Sequence, residues 1–114
     1  ETSPVRCIET TTVGDKTRWL CECALWSHWT HVGTAEVTVN CQIASIDPGK
    51  FWESQKNHVV ISAIAREYCN CFHQRIVTAK PPEAAWPNDL RVPYTDQGDI
   101  VYSMSPEVQQ QIGL

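Results

Sequence analysis

The sequence of 114 residues lacks features that would place it in several large classes of protein. Its nine Lys and Arg residues form no cluster and its formal net charge is −4. Because phosphate binding depends on grouped positive charge, a nucleic-acid-binding role is not expected. No apolar run approaches the roughly 20 residues of a membrane span. There is no Asn-x-Ser/Thr sequon, no internal repeat and no low-complexity segment. The length predicts a single domain over residues 1–114.

Catalytic motifs are missing as well. No serine lies in a Gly-x-Ser-x-Gly nucleophile elbow, and no hydrolase signature surrounds any cysteine. The acidic residues are scattered, so no pair of carboxylates can be placed across a cleft. We therefore predict that the protein is not an enzyme and that it uses no cofactor.

Cysteine, in contrast, is abundant. An even number of cysteines in so short a chain favours disulfides and an oxidising compartment. The first residues, 1–4, look like a mature N-terminus after processing, so we expect a secreted, extracellular protein. Six cysteines allow 15 complete pairings, and the sequence alone does not choose among them. The predicted disulfide cysteines are Cys7, Cys21, Cys23, Cys41, Cys69 and Cys71.

Zinc is the alternative use for some of these cysteines, because Cys21, Cys23, His28 and His31 lie close together in the sequence. Structural zinc sites usually place two to four residues between cysteines, and a Cys-x-Cys pair on a strand points both thiols the same way. We therefore favour disulfide cysteines beside surface histidines, and expect no metal.

The patterns of apolar residues predict strands in several places. A hairpin around Gly14 would join residues 5–12 to residues 17–26. Alternation of Val37 and Val39 with polar residues is typical of a half-buried strand. The remaining predicted strands cover residues 34–45, 72–78 and 99–104.

One long helix is predicted over residues 51–68, preceded by the N-cap Asp47 and by Pro48. Its predicted apolar face consists of Trp52, Val59, Val60, Ala63 and Ile64. The β-branched run at 59–61 leaves a strand there as an alternative. Four prolines make residues 80–95 irregular, a Pro-rich loop that should pack back on the body. A short helix should follow Ser105. The predicted fold is therefore α+β: an antiparallel β-sheet covered by one long helix, a disulfide-stapled two-layer sandwich.

Five tryptophans are present in this small domain. Trp19 and Trp52 are expected in the core. Trp26 and Trp29 alternate with two histidines at the end of a predicted strand, where they could instead anchor a partner. The predicted partner-binding residues are Trp26, His28, Trp29 and His31, with Trp86 of the Pro-rich loop as second choice.

The run Trp19-Leu20-Cys21-Glu22-Cys23, followed by a loop and a strand that reaches Cys41, resembles the small α/β subunits of fungal virus-encoded killer toxins. A similar sandwich recurs among small secreted effectors of plant-pathogenic fungi, including effectors secreted into host xylem. This resemblance implies a Cys23–Cys41 disulfide, with Cys21 and Cys7 joined to Cys69 and Cys71 in either order. It also implies a non-enzymatic virulence factor that binds a host protein or a second effector.

The expected function is thus that of a secreted fungal effector that works by protein–protein binding, in the host apoplast or xylem, without nucleic acid or membrane. A secreted protease inhibitor with a cystatin-like helix on a sheet is an alternative, although the Gln-x-Val-x-Gly loop is missing. A membrane-active toxin is a weaker alternative, since the chain is acidic and has no basic amphipathic helix.

Overall fold

A computed structural model describes residues 10–14 and 19–113. This part of the chain contains helices and no β-strand, so the predicted antiparallel sheet and two-layer sandwich are wrong. The helices are α1 (Cys23–Trp26), α2 (Pro48–Ser54), α3 (Val59–Thr78), α4 (Gln97–Tyr102) and α5 (Pro106–Gln111).

The 20-residue helix α3 is the centre of the fold, with α1 and α4 packed against it. The predicted single helix over residues 51–68 is wrong in its bounds, because residues 55–58 separate α2 from α3. Helix α3 then continues through the predicted strand at 72–78. Tyr68, Phe72 and Ile76 lie four residues apart and face the core. This helical spacing buries Phe72 and packs Tyr68 and Ile76, both partly buried, against the same core. That packing outweighs the β-propensity of the residues near the end of the helix.

The predicted helix starts at Asp47 and Ser105 are confirmed. Asp47 Oδ1 accepts a hydrogen bond of 3.0 Å from the Lys50 N–H, and Pro48 occupies the first turn of α2. Ser105 accepts a bond from the Val108 N–H in the same way at the start of α5. The capping side chain accepts a hydrogen bond from a backbone N–H that has no acceptor within the helix. Proline is tolerated in the first turn because the N–H that it lacks would have no acceptor there either.

The other strand predictions are also wrong. Residues 99–104 fall mostly in α4, because Ile100 and Met104 are both buried and lie one helical turn apart. Residues 19–26 are not a strand, since Cys21 has a φ of 60° and helix α1 follows at once. The first arm of the predicted hairpin lies mainly outside the described residues.

The predicted strand at 34–45 contains no secondary structure and is exposed along its whole length. We call residues 33–46 the exposed segment. Its apolar side chains stay in solvent; for example, Val39 is 74 % exposed and Ile43 is 77 % exposed. Hydrophobic alternation predicts a strand only if a sheet is available to pair with, and none forms in the described part of the chain.

The core is small and is built around Phe72, which is 1 % exposed. Cys23 of α1, Val92 of the Pro-rich loop and Ile100 of α4 are buried with it. Trp26 packs on this cluster, with its ring centroid 6.1 Å from that of Phe72. The Pro-rich loop therefore packs on the body, as predicted, through Val92.

The predicted apolar face of the long helix is displaced from the observed one. Val59 is 81 % exposed and Val60 is also exposed, although both were expected on the buried side. Trp52 is half-buried against Trp26, whereas Trp19, expected in the core, is exposed.

Polar contacts also attach the C-terminal helices to α3. Glu67 accepts hydrogen bonds from the backbone N–H and, at 3.1 Å, from the hydroxyl of Ser105. Arg75 donates to the Ser103 hydroxyl at 2.9 Å. These hydrogen bonds act together with the buried side chains of Ile100 in α4 and Val108 in α5 to hold the two helices in place.

The predicted disulfide framework is wrong for the cysteines that the structure describes. Cys21, Cys23, Cys41, Cys69 and Cys71 are all free thiols, so the Cys23–Cys41 bridge implied by the resemblance does not form. Cys23 is buried in the core, whereas Cys41 lies in the exposed segment. Cys7 lies outside the described residues.

Under native conditions, we expect iodoacetamide to modify Cys41 first and Cys23 last. Cys23 is 2 % exposed, and burial, together with the charges of Cys21 and Asp89, raises its pKa to about 12. Its thiol is therefore protonated and unreactive at neutral pH, because the thiolate is the nucleophile. Peptide mapping of timed samples measures the order, and denaturant should abolish the difference. A Cys23–Cys41 disulfide in the unreduced protein would contradict the structure.

Candidate functional site

The main cluster of polar side chains is organised by Asp89, in the Pro-rich loop. The preceding residue, Asn88, forms a tight turn in which its side-chain oxygen accepts from the Leu90 and Arg91 N–H groups at 2.8 and 2.9 Å. Asparagine favours such turns because its short side chain can bond to the backbone two residues ahead. The turn presents Asp89 to residues 21–32, and the Cys21 N–H donates to the Asp89 carbonyl at 2.8 Å.

Four groups donate hydrogen bonds to the Asp89 carboxylate. Oδ1 lies 2.7 Å from Trp29 Nε1, 2.9 Å from His31 Nδ1 and 3.6 Å from Cys21 Sγ. Oδ2 accepts from the Val32 N–H at 2.8 Å. Because a carboxylate only accepts, His31 carries a proton on Nδ1 in this arrangement. The Asp89 carboxylate thus bonds to the chain on both sides of α1, at Cys21 before the helix and at residues 29–32 after it.

The pKa values in this cluster follow from those contacts. Burial acts to raise the pKa of Asp89, but the hydrogen bonds from Trp29, His31, Val32 and Cys21 outweigh it, so this pKa lies below its ordinary value. Burial, followed by the negative charge of Asp89, raises the pKa of the Cys21 thiol. The carboxylate is therefore charged and the thiol protonated at neutral pH.

This arrangement does not match a cysteine-protease type of catalytic triad. In such a triad, one imidazole nitrogen faces the thiol and the other faces the carboxylate. Here His31 Nδ1 faces both, at 3.5 Å from Cys21 Sγ and 2.9 Å from Asp89 Oδ1. A nucleophilic cysteine also needs a lowered pKa, whereas the pKa of Cys21 is raised. Metal coordination suits these three side chains better than nucleophilic chemistry.

Some of the predicted partner-binding residues come together beside a different feature, an open pocket of about 520 Å³ next to α1 and α2. Trp26, His28 and Trp29 line it together with Trp52. Trp26 and Trp29 also pack against the core, so their rings contribute to the fold. A Trp29→Ala variant would therefore disturb both the core and the Asp89 cluster, and it cannot serve as a pure test of partner binding.

The other predicted residues lie elsewhere. His31 is exposed and bonds to Asp89, and Trp86 is partly exposed in the Pro-rich loop. Neither lines the pocket beside α1. The predicted binding surface is thus divided among the pocket, the Asp89 cluster and the loop.

Sequence reasoning missed Asp89 altogether. It is 57 residues from Val32 in the chain, so no local spacing connects it with its donors. The one available signal was the Asn-Asp pair in a loop between Pro87 and Pro93, which indicates a turn but not what the turn faces.

The exposed segment is the other feature that could bind a partner. No hydrogen bond links any residue from 33 to 46 to the rest of the described chain. The segment is nevertheless fixed at both ends, by the Val32–Asp89 bond and by the Asp47 cap of α2. Its backbone donors and acceptors are therefore available to another molecule.

Comparisons with known proteins provide no relative: no family model matches the chain, and no curated protein or solved structure is similar to it. Among the described residues, no helix is both long enough and apolar enough to cross a membrane. Any functional assignment therefore depends on the chemistry of the two sites.

Proposed function

We propose that this protein is a secreted fungal effector that binds a host protein, or a second effector of the same pathogen, through the exposed segment. The observation that carries this proposal is that residues 33–46 have the alternation of a strand, while the described part of the chain contains no sheet for them to join. A partner with a free sheet edge would supply the missing hydrogen bonds. In such a complex, the backbone provides affinity and alternate side chains provide specificity.

The chemistry of the segment fits this mode of binding. It contains no proline, so every residue has an N–H to donate to a ladder. Glu36 is its one charged residue, so little charge must be desolvated on pairing. Val37 and Val39 would lie on one face of the new strand, where they could enter apolar pockets of the partner.

Proline substitution in the segment tests this proposal. We expect Val39→Pro to leave the helical circular dichroism unchanged, because residue 39 lies outside the helices and is 74 % exposed. The same change removes a ladder donor, and it should weaken partner binding at least about 10-fold, since each 1.4 kcal/mol corresponds to a tenfold change. The measurement is affinity for a partner first isolated by photo-crosslinking from position 43 in host extract.

Two matched variants separate strand pairing from general apolar adhesion. Val39→Ala retains the N–H and should lose less affinity than Val39→Pro. Val59→Ala removes an equally exposed valine from α3 and should bind like the unchanged protein. Equal affinity of Val39→Pro and the unchanged protein would exclude the exposed segment as the contact.

Protease inhibition is the second candidate, favoured by the same segment. An exposed stretch that is fixed at both ends, by Asp89 and by the Asp47 cap, is the form in which an inhibitor can present a peptide to a protease cleft. Inhibition assays against a panel of papain-like and serine proteases test this second function. Slow cleavage with stable inhibition would support it, and rapid cleavage between residues 33 and 46 would exclude it.

A further inference from the structure

We propose that Cys21, His31 and Asp89 form a zinc-binding site. This proposal does not depend on the proposed function. The three side chains offer a thiol sulfur, an imidazole nitrogen and a carboxylate oxygen, and these atoms all lie within 4.8 Å of one another. Sulfur, nitrogen and oxygen donors in one small site suit zinc, whereas magnesium and calcium prefer oxygen alone.

The distances between the donor atoms fit a tetrahedral ion. Zinc bonds of about 2.3 Å to sulfur and about 2.0–2.1 Å to nitrogen or oxygen place sulfur about 3.5 Å from each lighter donor. The corresponding distances are 3.5 Å from Cys21 Sγ to His31 Nδ1 and 3.6 Å from Cys21 Sγ to Asp89 Oδ1. The nitrogen and oxygen, 2.9 Å apart, would have to separate by about 0.4 Å to reach the tetrahedral distance.

The surroundings already hold the ligands in position. Asp89 Oδ1 accepts from Trp29 Nε1, and Oδ2 accepts from the Val32 N–H, so the carboxylate is oriented from both sides. The Cys21 N–H bonds to the Asp89 carbonyl and keeps Cys21 in its left-handed conformation. Hydrogen bonds of this kind fix the orientation of metal ligands and tune affinity.

The site also has access to solvent and room for a further ligand. His31 is exposed, and Cys21 and Asp89 line an open depression of about 360 Å³. Three protein ligands would leave the fourth position to water or to a group from another molecule. On binding, zinc replaces the thiol proton of Cys21, and the proton on His31 Nδ1 moves to Nε2, so one proton is released.

This ligand set differs from the zinc alternative considered from sequence. Cys23 is buried and its thiol faces the Asn88 carbonyl at 4.0 Å, so it lies outside the group of donor atoms. His28 lines the pocket beside α1 instead. The local Cys-x-Cys spacing therefore does not define the site, and the distant Asp89 completes it.

The test is calorimetric titration of the 114-residue chain, reduced and freed of metal by a chelator, with Zn²⁺. Co²⁺ then serves as a spectroscopic probe of the same site. We expect one Zn²⁺ per chain, and a cobalt spectrum with thiolate charge-transfer absorption. Cys21→Ser and His31→Gln should each weaken zinc binding at least about 10-fold, because even the loss of an outer hydrogen bond costs 10- to 100-fold. Trp29→Phe retains the ring but not the N–H, and should weaken binding about 10-fold.

Matched controls are available outside the cluster. Cys41→Ser and His28→Gln remove a thiol and an imidazole that lie outside the donor group, and should bind zinc like the unchanged protein. The proposal is overturned if no equimolar zinc binds, if Cys41→Ser weakens binding as much as Cys21→Ser, or if Cys21 is in a disulfide in the unreduced protein. Circular dichroism of each variant identifies loss of fold. Cys21→Ser is the deciding variant, because the Cys21 side chain contributes only weak thiol contacts to the fold.

Discussion

Replacing Phe72 with alanine is expected to destabilise the protein by about 3–5 kcal/mol, which is a large share of the stability of a domain of this size. The Phe72 side chain is 1 % exposed and lies between Trp26 and Tyr68, with ring centroids 6.1 and 6.4 Å away. Its removal leaves a cavity at the place where α1, α3 and the Pro-rich loop meet, and the aromatic neighbours are too rigid to fill it. Urea unfolding followed by tryptophan fluorescence measures the loss.

The matched control is Val59→Ala, on the first turn of the same helix. Val59 is 81 % exposed and alanine is the better helix former, so its stability should change by less than about 0.5 kcal/mol. Phe72→Leu retains apolar volume and should lie between the two. If Phe72→Ala and Val59→Ala had equal effects, Phe72 would not be the centre of the core.

The features predicted correctly from sequence are those that depend on local chemistry. A capping side chain followed by proline determines a helix start within a few residues, and both Asp47–Pro48 and Ser105–Pro106 mark the observed starts. The Pro-rich loop could be expected to pack back because it carries several apolar residues, and Val92 does so.

The features predicted wrongly depend on distant partners. Residues 34–45 have the alternation of a strand, but a strand is stable only beside another, and no other described segment forms a strand. Cys21 and Cys23 would share a face only if residues 17–26 were extended; the φ of 60° at Cys21 and the helix after it separate the two thiols. The strand predicted over residues 17–26 was therefore wrong. The predicted disulfides depended instead on the even number of cysteines and on the killer-toxin resemblance, and the described cysteines do not form them.

The Asp89 site could not be predicted for a related reason. Two of its members, Cys21 and His31, were recognised as metal-binding residue types, but the carboxylate comes from a loop far along the chain. Local spacing suggested Cys23 and His28 as the other ligands, which was wrong for this cluster because α1 turns Cys23 into the core. In the folded chain, Asp89 lies beside Cys21 and His31, in the place that local spacing assigned to Cys23 and His28.

Replacing Asp89 with alanine should destabilise the metal-free protein by about 2–4 kcal/mol, because hydrogen bonds to a charged group contribute about 1.5–3 kcal/mol each and are not fully additive. The change leaves the Trp29 indole N–H and the Val32 N–H without their acceptor. It also releases the connection between α1 and the exposed segment. Chemical unfolding in the presence of chelator and reductant measures the effect without any contribution from bound metal.

Asp96→Ala is the matched control, because Asp96 is an exposed aspartate of the same region whose side chain makes no capping bond. Its effect should stay within about 0.5 kcal/mol, as is usual for surface positions. Asp89→Asn retains one acceptor oxygen and should be less harmful than Asp89→Ala. Hydrogen exchange adds a local readout: the Val32 amide should lose protection in both Asp89 variants and keep it in Asp96→Ala. An Asp89→Ala protein as stable as the control would mean that the carboxylate does not hold residues 21–32 in place, and the preorganised ligand geometry inferred for zinc would lose its structural basis.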